Sequence, residues 1–355
     1  MKPKITIFSD SVGSGKTTFL QEELVNLPGV AGVLSPEHNG KRYFQLIPSE
    51  ELLPMESESG SLVVGRFQFD AQNFQKVAKA LWDFWKDPSI KTLLIDEIGP
   101  LEIKKKQGFH ELLVRICHDD HVSQKEIIVV VRDYCIQDFI RLYGLDDVRV
   151  KTKNDFYKSA SDRPIGVVLC GGKSKRMKTD KAFLQYNGLP QWEYVYNLLS
   201  PFCEKTLLSV NTEQQETGMF PKHIEQILDK DEYKEHGPMT GLMSVLEAVG
   251  DKPIFLIACD YPLLRMEHLL ELIKHRNTEF DVVCYRNTGR AEPLITLFEA
   301  SVFEQIQAFY KEGNDSIATF IKQAKTCFVD VSEADFLQNV NDPEAFQRLN
   351  KSKND

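Results

Sequence analysis

"VVLCGGKSKRMKTDKAFL", residues 167–184, decides the reading of the second half of the chain. An apolar run delivers the backbone to Gly171-Gly172, and two bases, Arg176 and Lys181, follow closely. A backbone without side chains at Gly171 and Gly172 can come close to a triphosphate. Arg176 and Lys181 then supply positive charge to a leaving pyrophosphate. The G-x-G-x-x-G spacing of a dinucleotide fold is absent.

Working outward, "PIGVVLC" reads as a buried strand and "QWEYVYNLLSPF" as a helix. "TLLSVN" is a strand, "MTGLMSVLEAV" a helix, "PIFLIACD" a strand ending in an acid, and "MEHLLELIKHR" a helix. Strands alternating with helices predict an α/β domain with its own parallel sheet. Upstream, "VKTKNDFYKSASDRP" at 150–164 is polar and lacks a clear period. A domain boundary is expected there, with one domain over 1–155 and a second over 163–350. A chain of 355 residues fits two domains.

The first half opens on "FSDSVGSGKTTF", residues 8–19, which follows the strand-like "KITIF". It is one letter away from the phosphate-binding pattern G-x-x-x-x-G-K-[ST], because Asp10 replaces the first glycine. Gly13, Ser14, Gly15, Lys16, Thr17 and Thr18 form the expected cradle. The glycines let successive N–H groups converge on phosphate, Lys16 adds charge, and Thr17 can ligate Mg²⁺. Asp10 tolerates positive φ better than most residues, but its carboxylate would oppose a nearby phosphate. Hydrolysis is therefore expected to be slow, with binding retained. "LLIDEIGPLE" supplies the partner acids. Asp96 would hold Mg²⁺ through water, and Glu97 would orient the attacking water. "EIIVVVRD" is a further strand, and "NFQKVAKALWDFWKD" is an amphipathic helix with Phe74, Val77, Leu81 and Phe84 on one side. "GVLSPEHNGKRYFQLIP" reads as two β-rich runs around an Asn39-Gly40 turn. This half is thus an α/β domain of the P-loop type, a sheet layered between helices.

A net charge of −9 argues against wrapping nucleic acid or lying on an anionic membrane. No run approaches the roughly 18 apolar residues of a membrane span. Seven scattered cysteines without a C-x-x-C pair fit neither a zinc cage nor a disulfide framework, and point to a reducing cytoplasm.

The first half resembles the small THEP1-type P-loop nucleoside triphosphatases over about residues 3–150. The segments that carry this are "SVGSGKTT", "GVLSPEHNGKRYFQL", "VVGRFQFDAQNFQKV" and "LLIDEIGPLE". The resemblance implies Mg²⁺-dependent hydrolysis of a nucleoside triphosphate. The second half resembles the nucleotidyltransferase loop L-[AC]-G-G-x-S-x-R-M-G-x-D-K, with Lys178 where glycine is usual. "ILDKDEYKEHGPMTGLMSVLEAV", "LIACDYPLL", "AEPLITLFE" and "FLQNVNDPEAF" are similar to segments of the molybdenum cofactor guanylyltransferases, the MobA family. That implies a Rossmann-like nucleotidyltransferase fold of the nucleotide-diphospho-sugar-transferase type. It also implies GMP transfer from GTP to Mg-molybdopterin, and protein partners among molybdenum-insertion proteins and recipient molybdoenzymes.

Under this resemblance Asp260 is the Mg²⁺ ligand, while Arg176 and Lys181 clamp the outer phosphates. Leu169, Cys170 and Gly171 frame the base, Asp229 accepts hydrogen bonds from guanine or ribose, and Asn211 also contacts the nucleotide. Asn339 and Asn341, alternating on an extended segment, are placed near the pterin. Two rivals stand beside this reading. One is a cytidylyl- or sugar-nucleotidyltransferase; Gly171 and "GPMTGL" argue against the cytidylyl branch. The other is a nucleotide-binding adapter or regulator with degraded sites. Trp82 and Trp85 are expected in packing, and "EIKKK" at 102–106 as a solvated loop. The eight histidines lack metal-ligand clustering.

Overall fold

The computed structural model describes residues 3–120, 125–156, 162–171, 180–186, 188–233 and 236–339. The chain divides into two compact units, at residues 156 and 157.

The first unit runs β1 (Lys4–Phe8), α1 (Lys16–Glu23), β2 (Val30–Leu34), β3 (Glu37–His38), β4 (Lys41–Ile47), β5 (Leu52–Pro54), β6 (Leu62–Val64) and β7 (Phe67–Phe69). It continues through α2 (Ala71–Lys86), β8 (Thr92–Ile98), α3 (Pro100–Ile103), α4 (His110–Cys117), β9 (Glu126–Val131), α5 (Ile136–Leu142) and β10 (Val148–Lys151). The main sheet has the order β10-β1-β9-β8-β2-β4-β3, with β5 beside β4. The strands from β10 to β2 pair in parallel, and β4 runs antiparallel to β2. Central strands such as β9, "EIIVVV", are apolar on both faces because helices cover both sides. On one face Phe8, Leu20, Leu24, Leu94 and Val130 pack together, with Phe19 and Phe156 against them.

Helix α2 starts where Asp70 accepts hydrogen bonds from the backbone N–H groups of Gln72 and Asn73. It buries Phe74, Val77, Leu81 and Trp85, while Phe84 is half-exposed. The expected face is therefore correct for three of its four positions. The indole of Trp85 donates to Asp119 Oδ2 at 3.0 Å, so its polar edge is satisfied and the large ring wins the buried place. The Asn39-Gly40 turn forms as read, with φ of 53° and 74°.

The second unit runs β11 (Ile165–Leu169), α6 (Gln191–Leu199), β12 (Thr206–Val210), α7 (Thr212–Thr217), β13 (Gln226–Leu228) and α8 (Pro238–Val249). Then come β14 (Ile254–Ala258), α9 (Met266–Lys274), β15 (Val282–Asn287), β16 (Arg290–Phe298), α10 (Phe303–Lys311), α11 (Ile317–Gln323) and β17 (Thr326–Asp330). Its sheet has the order β13-β12-β11-β14-β16-β15-β17. The expectation of a parallel sheet holds for β13, β12, β11 and β14. It fails at β16, which is antiparallel to both neighbours. Only Thr288 and Gly289, both at positive φ, separate β15 from β16, a connection too short for a parallel crossover.

Candidate functional sites

Two sites form at the C-terminal edges of parallel strands, where open α/β sheets bind ligands. In the first unit the chain leaves β1 and turns through Gly13 (φ 75°) and Gly15 (φ 74°) into α1. Lys16 Nζ donates to the carbonyls of Asp10 and Ser11, at 2.9 Å each. Thr17 Oγ1 donates to Asp96 Oδ2 at 2.7 Å, and the backbone N–H of Ser35 donates to the same oxygen at 3.0 Å. Asp96 is only 3% exposed, and burial pushes its carboxyl up to about 6 despite these bonds. A hydroxyl and a buried carboxylate therefore meet at the mouth of the loop, a donor pair suited to a hard cation.

Asp10 is not among the residues with positive φ. Its position therefore does not need glycine's conformational freedom. Its Oδ1 accepts from the Ser11 N–H at 2.8 Å and its Oδ2 from the Lys153 N–H at 3.4 Å. The carboxylate thus ties the loop to the segment after β10. Glu97 lies apart from the cradle. Its Oε1 accepts from Arg42 Nη1 at 2.7 Å and from Arg132 Nη2 at 3.1 Å. Its backbone has φ 67°, in a region costly for a side chain of this size. Sequence reading does not single out Arg42, Arg132 or Lys153. They reach the acids from distant segments, and no local spacing announces them.

In the second unit Leu169 pairs in register with Ala258, which sets Cys170 and Gly171 beside Cys259 and Asp260. The N–H groups of Cys170 and Gly171 donate to Ser209 O, at 2.9 and 3.1 Å. Asp229 Oδ1 accepts from Ser209 Oγ at 2.9 Å, and burial raises its carboxyl above the usual range. A Cβ on Gly171 would stand 2.5 Å from Asp229 Oδ2. A Cβ on Gly241 would stand 2.6 Å from Ser209 Oγ. Both glycines are thus required by close approach around Asp229. Lys181 Nζ lies 3.8 Å from Asp260 Oδ2. Asp260 Oδ1 is buried and makes no hydrogen bond among the described residues. Burial raises the Asp260 carboxyl, and the Lys181 ammonium only partly offsets this. An unpartnered, inaccessible carboxylate oxygen beside an ammonium fits a divalent cation.

Asn211 caps α7. Its Oδ1 accepts from the Gln214 N–H at 2.9 Å, and Gln214 Oε1 accepts from the Asn211 N–H at 3.0 Å. Gln214 Nε2 also donates to Cys170 O at 3.0 Å and to Asp180 Oδ2 at 2.6 Å. Gln214 therefore links the glycine loop to the segment carrying Lys181. The capping spacing in "NTEQ" was its one local signal. Asn339 is exposed, and Gly172, Arg176 and Asn341 lie outside the described residues.

"EIKKK" departs from the solvated loop expected of it. Glu102 and Ile103 are buried in α3, and only the lysines are exposed. Among the described residues no group of three or more His, Cys, Asp and Glu could by itself hold a metal. No described helix is long and apolar enough to cross a membrane.

Residues 166–327 match the family described as "MobA-like NTP transferase domain". A Geobacillus protein named "Probable molybdenum cofactor guanylyltransferase" is 27% identical over 190 residues, covering 52% of this chain and 96% of its own length. A Synechocystis "Molybdenum cofactor biosynthesis bifunctional protein" is 30% identical over 190 residues, covering 52% of this chain and 53% of its own. The crystal structure of THEP1 from Aquifex aeolicus aligns with a TM-score of 0.35 at 19% identity, covering 44% of this chain and 93% of that one. The C-terminal half of the chain carries a MobA-like NTP transferase domain.

Proposed function

We propose that the second unit transfers GMP from GTP to molybdopterin, giving the guanine dinucleotide form of the molybdenum cofactor and pyrophosphate. The observation that carries this reading is the pairing of Lys181 with Asp260, which follows the end of β14 and whose buried Oδ1 lacks a hydrogen-bond partner among the described residues. The substrates follow from the names of full-length relatives. Both reactants are anions, so the protein's task is to neutralise charge and to align the pterin phosphate oxygen with the α-phosphorus. That oxygen forms the new bond as the bond to pyrophosphate breaks. Asp260 would hold Mg²⁺, which stabilises charge on the phosphate oxygens when bound. Lys181 and Arg176 would receive the β- and γ-phosphates. Asp229, kept in place by Ser209, would accept N–H donors of guanine. Asn211 supports that edge of the site as the cap of α7.

In the same reading the first unit, over about 1–155, binds a nucleoside triphosphate with Mg²⁺ at Gly13–Thr18 and hydrolyses it slowly. Thr17 and Asp96 would hold the cation. The test is pyrophosphate release by the full chain with purified molybdopterin against GTP, CTP and ATP. Turnover with GTP is expected. Turnover with CTP alone would replace the guanylyl by a cytidylyl assignment, and none with any nucleotide would reject transfer.

A further inference from the structure

The first unit holds a cavity of about 230 Å³ that none of the residues 10–18 lines. Its inner wall is aromatic. Phe44, Phe74 and Phe109 pack with ring centroids 4.8 to 5.5 Å apart. The outer wall is the β6–β7 hairpin, where Phe67 is 38% exposed. Arg42 sits between the walls, its guanidinium 4.5 Å from the Phe67 ring and 5.1 Å from the Phe69 ring. Arg42 Nη2 is buried and makes no hydrogen bond among the described residues. Arg132 and Tyr134 complete the rim. Arg66 adds a third positive charge to the lining, against Glu97 and Glu102 within it. An unspent guanidinium N–H facing flat apolar walls is a recognition surface for an aromatic ring carrying an anion. Its volume falls below the ~300 Å³ of ordinary small-molecule sites, which favours a single fused ring system.

Of the three guanidiniums at this cavity, those of Arg42 and Arg132 hold Glu97. An anion bound to Arg42 and Arg132 would compete with Glu97 Oε1 for the same donors. Asp96, the preceding residue, meanwhile faces Thr17.

We infer that this cavity is a second ligand site, for a small planar heteroaromatic anion, and that its occupation frees Glu97 to serve the phosphate-binding loop. The second clause rests on the reading of the first unit as a nucleotide hydrolase; the site itself does not. Pterin-6-carboxylate is a suitable probe, because it is flat, anionic and fluorescent. Titrated with the full chain, it should show saturable binding that persists with excess ATP and Mg²⁺. Arg132→Gln and Phe67→Ala, both at partly exposed positions, should each weaken binding about tenfold or more. Neutral pterin should bind far less well. In parallel, the probe should raise phosphate release from ATP several-fold in the wild type and not in Arg132→Gln.

No saturable binding up to about 1 mM would overturn the site. So would displacement by ATP, equal binding of neutral pterin, or unchanged binding by both variants. Binding without any change in an existing hydrolysis rate would overturn the release of Glu97. A chain that hydrolyses no nucleotide with or without probe, yet binds the probe as described, would fail the hydrolase reading and keep the site.

Discussion

Asp260 shows how a residue can be placed against its own stability. Its carboxyl is raised by burial, so the ionised form costs free energy that a neutral side chain would not. Asp260→Asn should therefore lower guanylyl transfer by at least about two orders of magnitude while leaving Tm equal or higher. Pyrophosphate release and a thermal melt on the same preparation check both halves; unchanged turnover at saturating Mg²⁺ would remove Asp260 from the site. Glu102 carries a related penalty away from either loop. Burial raises its carboxyl from 4.5 to about 7, although the N–H groups of Gly99 and Phe109 donate to it. Between those pH values the folded chain keeps a proton that the unfolded chain has lost. The stability this group contributes is full below 4.5 and falls as pH rises through 7, by at most about 3 kcal/mol. Glu102→Gln should flatten that decline. Melts of both proteins from pH 4.5 to 7 should show the variant gaining relative Tm as pH rises, and a constant difference would mean that the Glu102 carboxyl is not raised in the fold.

At the scale of elements, the glycine turn from β1 into α1 was legible and its supports were not. Gly13, Gly15, Lys16 and Thr17 announce their loop because phosphate binding is a property of consecutive N–H groups. Asp96 was readable too, since an apolar strand ending in an acid is a local pattern. Lys153 and Arg132 depend on which strands become neighbours, which a local pattern does not encode. The antiparallel β16 escaped for the same reason: its apolar pattern looks alike in either direction. Asp10 illustrates the limit best. Read alone, it is a charge opposing phosphate; in the fold it bonds two N–H groups and holds the loop. The two effects can be separated by substitution. Asp10→Asn removes the charge and keeps an acceptor for Ser11, so it should tighten nucleotide binding several-fold. Asp10→Gly also removes the tether, so it should gain less than Asp10→Asn. Lys16→Ala should lose binding altogether. Calorimetry with ATP and Mg²⁺ on the three variants checks the order; Asp10→Gly binding more tightly than Asp10→Asn would return Asp10 to the role of a simple defect.

For the whole molecule, the question is whether two nucleotide sites on one chain share one task. Each unit has its own sheet and its own strand-end acid, Asp96 beside Thr17 in the first and Asp260 beside Lys181 in the second. The contacts from Ser209 to Asp229 and from Gln214 to Asp180, which support the proposed transferase site, lie inside the second unit. On the proposed reading, chemistry at Asp260 is expected to require no residue before the boundary. Residues from about 160 onward, expressed alone, should transfer GMP with the kcat of the full chain and should prefer GTP to CTP and ATP. The preference follows from Asp229, a half-buried acceptor that rewards a base offering N–H donors and leaves others unpaired. Lys16→Ala in the full chain is likewise expected to leave guanylyl transfer unchanged, because the second unit has its own glycine-rich turn and its own acid. The decisive comparison is kcat and KM for GTP in three proteins: the full chain, Lys16→Ala, and the isolated second unit. Equal values would assign the first unit to a step before or after transfer. A fall in kcat for both altered proteins would mean that the first loop drives the transferase, and the two sites would then have to be treated as one machine.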